Sequence, residues 1–70
     1  MPHIHIQMYP GRDQATKERI AETMQRVLAE EMHSDKKYFS VSIEDVLPEN
    51  WKSQVEDRID KNNLRIPKNL

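Results

Sequence analysis

The sequence predicts a two-layer α/β fold: a βαβ unit with parallel strands, one long helix on one sheet face, and a short C-terminal helix. Three observations predict it. HIHIQMY at 3–9 and YFSVSIEDV at 38–46 alternate apolar and polar residues with the two-residue period of a strand. Between them, from Asp13 to about Met32, apolar residues recur at helical spacing. A strand, a long helix and a second strand form a crossover that is right-handed in nearly every protein, so the two strands are expected to lie parallel. At 70 residues the chain is read as one domain, 1–70.

In the first strand Ile4, Ile6 and Met8 share one face, and His3, His5, Gln7 and Tyr9 the other. Pro10-Gly11 ends it in a turn. Asp13 is placed to cap the helix, whose apolar stripe is Ile20, Met24, Val27, Leu28 and Met32 with Ala21 beside it. Lys17, Glu18, Glu22, Arg26 and Glu30 form its expected solvent face. In the second strand Phe39, Val41 and Ile43 face the helix, while Ser40, Ser42 and Glu44 face away. Pro48 suits a helix start, and Trp51, Val55 and Ile59 at four-residue spacing predict a short helix to about Asp60. Asn62-Asn63 breaks it, leaving LRIPKNL as a loose tail or an edge strand for a partner.

So small a chain buries little apolar surface, and it has no cysteine to supply a disulfide. Both sheet edges are open. Pairing across a two-fold axis gives a four-stranded sheet with two helices on one side, so a homodimer is expected, with a hexamer as the larger alternative. The polar outer sheet face favours the dimer, since burying it costs free energy. With a net charge of −1 and interspersed signs, no basic stripe points to nucleic acid, and no apolar run points to a membrane. The start MPHIHIQ lacks the pattern of a signal peptide, so cytoplasm is the default location.

Pro2 is the residue with the most chemistry to offer. Removal of Met1 would leave it a secondary amine, and burial near apolar surface lowers an amine pKa towards neutrality, where it serves as a general base. With Met1 retained, Pro2 is a tertiary amide and cannot act. A second reading takes His3 and His5, on one strand face, as metal ligands with His33 or Glu44 as a third. The bland reading of that pair, two histidines on a half-wet sheet face with one bonding a serine or Tyr38, is preferred, and no metal is assigned. A third reading is a non-catalytic oligomeric module of the same fold.

Pro2, the βαβ pattern, Gly11-Arg12 after strand one, and an aromatic after strand two resemble the 4-oxalocrotonate tautomerase family. The stretches PHIHIQMYP and LPENW are most similar to its small dimeric branch, the PptA-like tautomerases. The resemblance covers roughly 2–51. It implies an isomerase that interconverts enols and ketones of 2-oxo acids without a cofactor, acting on a small molecule. It implies Pro2 as the acid/base, Arg12 as the binder of the substrate carboxylate, and Trp51 as a pocket wall. Where better-known members carry a second arginine, the resemblance places Ser40 as a substrate-binding residue; it can donate one neutral hydrogen bond but cannot pair with a carboxylate as a guanidinium does. A monocarboxylate enol such as phenylenolpyruvate is therefore easier to accommodate, unless Arg58 or Arg65 replaces the missing cation.

Overall fold

The computed structural model describes residues 1–68. Strand β1, His3–Met8, and strand β2, Ser40–Asp45, pair in parallel, with His3 opposite Ser40, Ile6 opposite Ile43 and Met8 opposite Asp45. Helix α1, Gln14–Glu31, makes the crossover and lies on one face of this two-stranded sheet. Helix α2 is the single turn Trp51–Gln54, preceded by a 3-10 turn at Pro48–Asn50 and followed by another at Glu56–Arg58. The α+β arrangement is the one the sequence predicts.

Local chemistry sets the limits of α1. The Asp13 carboxylate accepts from the Thr16 amide at 2.9 Å, satisfying one of the donors a helix start leaves open. Hydrogen bonds from Thr16, its side chain first and then its amide, hold the Asp13 carboxyl below the usual aspartate range. At the far end Ser34 N donates to Ala29 O at 3.0 Å and His33 N to Glu30 O at 3.2 Å, the double closure of a Schellman motif. His33 adopts φ 52 there, a position that usually falls to glycine.

The helix meets the sheet on a different stripe from the one its apolar residues predict. Ile20, Ala21 and Leu28 are half-buried and Ala29 is buried, but Met24, Val27 and Met32 stay exposed. Two polar residues take up the space turned towards the sheet. Gln25 donates to the carbonyls of Lys36 and Phe39 at 2.9 and 3.0 Å, tying the helix to the segment that leads into β2. Lys17, expected in solvent, reaches Asp45 at 2.7 Å. Its long apolar stem covers sheet surface while its ammonium finds the carboxylate.

The buried core is Ala29, Phe39, Val46 and Val55. Val46 is the most enclosed, and its amide donates to Met8 O at 2.8 Å, extending the parallel pairing by one step. Burying Val55 also explains the shortness of α2. One α-helical bond closes from Val55 N to Trp51 O; the next turn tightens, with Arg58 N donating to Val55 O at 3.1 Å. Ile59 is left exposed rather than on a continuing helix face, so the helix stops at Gln54 instead of Asp60. The tail 64–68 is irregular, and Asn69-Leu70 of the expected edge strand lie outside the described residues. No helix among the described residues is long and apolar enough to cross a membrane.

Candidate functional site

The two ends of the sheet carry different chemistry. Pro2 lies just before β1, where its carbonyl accepts from Ser40 N at 3.2 Å. Pro2 and Ser40 are therefore neighbours. Arg12 and Trp51 lie at the other end, beyond Met8. Six strand residues at ~3.3 Å each separate the two ends by roughly 20 Å. Within one chain no small molecule touches both Pro2 and Arg12.

At the Arg12 end an open recess of about 370 Å³ is lined by Gln7, Met8, Tyr9, Arg12, Trp51 and Lys68. Gly11 makes the turn that leads there. Its φ of +134 is disfavoured for any residue with a side chain, although the space around it is open. Tyr9 and Trp51 meet edge to face, with ring centroids 5.0 Å apart and planes at 84°. This arrangement suits the ring quadrupoles and fixes both rings as one wall. Trp51 is half-buried, so it serves both as packing and as lining. Among the described residues Arg12 has no carboxylate within ion-pair distance. A guanidinium beside an aromatic wall is well matched to a planar carboxylate.

The recess brings together Arg12 and Trp51, which the sequence reading named, and Tyr9 and Lys68, which it did not. Arg58 and Arg65, left open by the sequence as replacements for a second arginine, do not line the recess. Tyr9 had a readable signal, since it follows the strand immediately before Pro10-Gly11. Lys68 had none, because only the fold of the tail brings it near.

On the sheet face away from α1 runs a ladder of side chains. His3 Nδ1 lies 2.6 Å from Ser40 Oγ and His3 Nε2 lies 3.0 Å from Ser42 Oγ. His5 Nδ1 lies 2.5 Å from Ser42 Oγ and His5 Nε2 lies 3.1 Å from Glu44 Oε1. Gln7 Nε2 donates to the same carboxylate oxygen at 3.1 Å. With both rings neutral, one proton arrangement satisfies every contact. A carboxylate only accepts, so His5 donates from Nε2 and its Nδ1 accepts from the Ser42 hydroxyl. Ser42 Oγ then accepts from His3 Nε2, whose Nδ1 accepts from Ser40. The ladder therefore points one way, from the Pro2 end towards Glu44. Hydrogen bonds from His5 first, then Gln7, hold the Glu44 carboxyl below the ordinary glutamate range. These bonds occupy the ring nitrogens that a metal would need, and no group of three His, Asp or Glu among the described residues is arranged to hold one.

A family model for tautomerase enzymes matches residues 2–58. The tautomerase PptA of Cronobacter sakazakii is 36% identical over 59 residues, covering 81% of this chain and 76% of that one. The tautomerase PptA of Pectobacterium atrosepticum is 34% identical over 65 residues, covering 91% and 86%. A probable tautomerase of Xylella fastidiosa is 33% identical over 55 residues, covering 79% and 67%. No solved structure matches the chain.

Proposed function

The chain belongs to the tautomerase family and is an isomerase, and on that ground we propose that it interconverts enols and ketones of 2-oxo acids with the amine of Pro2 as acid and base. Met1 is 94% exposed, which leaves it open to the peptidase that would free the amine. The neutral amine takes the enol hydroxyl proton as the carbonyl forms. The carbon–carbon double bond shifts, and the same proton is delivered to carbon. Arg12 holds the carboxylate and draws electron density towards the oxygen, and the Tyr9–Trp51 wall keeps water from the amine. An apolar surround disfavours the ammonium form and so keeps the base available.

The observation that carries the reading furthest is the separation of Pro2 from Arg12. A site needing both is incomplete in one chain and complete in two. Antiparallel pairing of β1 with its copy across a two-fold axis sets the start of one strand beside the end of the other. The partner's Pro2 then reaches the recess lined by Arg12 and Trp51. A homodimer with two such sites is the working assembly in this reading, and the hydrogen-bonded outer face of its sheet stays in water.

The test is the rate of ketonisation of phenylenolpyruvate and 2-hydroxymuconate. Proton transfer of this kind contributes roughly 10²–10⁴-fold, so Pro2→Ala is expected to lose activity on that scale. Protein with Met1 retained, verified by intact mass, is expected to lose at least as much. Full activity with Met1 in place would sink the reading.

A further inference from the structure

We propose that Ser42, His5, Glu44 and His3 form a second chemical site, on the outer sheet face, which hydrolyses small uncharged esters through an acyl-serine at Ser42. This goes beyond the tautomerase reading and uses neither Pro2 nor Arg12. It rests on the order of the ladder. Ser42 stands directly opposite His5 in the parallel register. Its Oγ lies 2.5 Å from His5 Nδ1, and His5 Nε2 lies 3.1 Å from Glu44 Oε1. A hydroxyl, an imidazole and a carboxylate in series are the parts of an activated serine. The tautomer that the carboxylate imposes is the useful one: Nε2 carries the proton, so Nδ1 is free to take the one from Ser42. His3 adds a fourth part. Its Nε2, 3.0 Å from Ser42 Oγ, donates to that oxygen and is within reach of an oxyanion formed on a carbon bound there.

The Ser42 hydroxyl gives its proton to His5 and accepts from His3, which leaves one lone pair free. That pair attacks the ester carbonyl carbon. The oxygen–carbon bond forms as the proton passes to His5 Nδ1, and Glu44 holds the imidazolium. The carbonyl π electrons move to oxygen, which takes the His3 N–H. Collapse breaks the bond to the leaving oxygen, which departs with the proton from His5. Water then attacks the acyl-serine with His5 again as base, and the acid is released. The surroundings set the substrate class. Ser42 is half-buried and both histidine rings are exposed, so the hydroxyl is reachable from solvent. Glu44 is held ionised and repels an anionic acyl group, which favours an uncharged one. The face is open and gives little binding, so the reactivity of the ester counts for more than its size.

The probes are p-nitrophenyl acetate for turnover and diisopropyl fluorophosphate, whose fluoride the serine oxygen displaces, for labelling. Wild-type protein is expected to turn over the ester many times, whereas a chain-terminal amine would be acetylated once and stop. The phosphoryl label is expected on Ser42 by peptide mapping. Ser42→Ala and His5→Ala should each lose roughly 10²-fold in rate, the lower end for a positioned base. Ser42→Cys should keep acylation, since a thiol also yields its proton to His5. Glu44→Gln keeps an oxygen for His5 but no charge. The charged and titratable groups around the ring are Glu44, His3 across Ser42, and Arg58, whose charge acts on Glu44. Without the carboxylate the imidazolium loses its partner, so the acid limb of the pH–rate profile should move to lower pH; a merely structural loss would lower the rate alike at every pH. Unchanged turnover in Ser42→Ala, a label on other residues alone, or wild-type protein that neither turns over nor labels overturns the proposal. An acid limb that stays in place in Glu44→Gln removes Glu44 from the site.

Discussion

The two ends of the parallel sheet are built on opposite principles. The Pro2 end is closed by hydrogen bonds: Ser40 N to the Pro2 carbonyl, and the serine–histidine ladder leading away to Glu44. Its polar atoms are partnered within the chain. The Arg12 end is left open, with a guanidinium that has no ion-pair partner among the described residues, an exposed tyrosine edge-on to a half-buried tryptophan, and a tail that returns to bring a lysine. One end carries the proposed reagent, Pro2, and the other carries the recess proposed to receive the substrate. If Pro2 and Arg12 share a site as proposed, the functional unit is a pair of chains, and one assembly would both complete the site and add to the small buried core.

The strongest way to break this comparison is complementation. Pro2→Ala and Arg12→Ala each remove one half of every site and are expected to be nearly inactive alone. Mixed and allowed to exchange subunits, half the dimers are hybrids, and each hybrid regains one site built from its two intact halves. Activity is expected to return to about a quarter of the wild-type value under random two-fold assembly. Ketonisation rates before and after mixing measure it. No recovery, with exchange verified by native mass spectrometry, would place both residues in the same chain's site and end the argument from separation.

How far the sequence led follows the same division. Alternation placed both strands within two residues, and the crossover rule placed them parallel, because a strict period of two has few other solutions. Asp13 was legible as a cap for the same local reason. The rotation of α1 was not. Its apolar stripe counts residues by hydrophobicity, whereas the sheet-facing side includes Gln25, which satisfies two backbone carbonyls, and the stem of Lys17. Met24, Val27 and Met32 consequently remain exposed in the single chain. Within the site, Arg12 and Trp51 were legible through resemblance. Lys68 was not, because its place depends on a turn and an ion pair formed far along the tail. The four-residue spacing of Trp51, Val55 and Ile59 overstated α2, since burial of Val55 was satisfied after one turn.

A smaller effect sharpens the picture of the open end. Gly11→Ala meets no neighbouring atom, so any cost comes from the backbone angle alone. Forcing a side chain into that region costs about 1–2 kcal/mol, or the turn relaxes and carries Arg12 with it. The expected outcome is a modest loss of stability with a larger rise in KM, seen by comparing denaturant midpoints with kinetics. A fall in stability with unchanged KM would show that Arg12 keeps its place when the turn is strained.

The smallest effect belongs to the closed end and has a definite sign. Glu44 is held below the ordinary glutamate range, which begins from about 4.3 in unfolded chains. A carboxyl depressed on folding contributes stability that is present above its unfolded pKa and is lost as pH falls through the folded value. The ladder should therefore lose its contribution on the acid side, below the pH at which ordinary glutamates protonate. Both partners are solvent-exposed, so the effect on global unfolding is small and the carboxyl itself is the better reporter. An NMR titration of the Glu44 side chain is expected to show a low midpoint. His5→Ala should raise it more than Gln7→Ala, because the His5 bond is the larger cause of the depression. Equal shifts in the two variants would mean that the carboxylate is held by its glutamine neighbour as much as by the ladder, and the directional chain from Ser40 to Glu44 would lose its terminus.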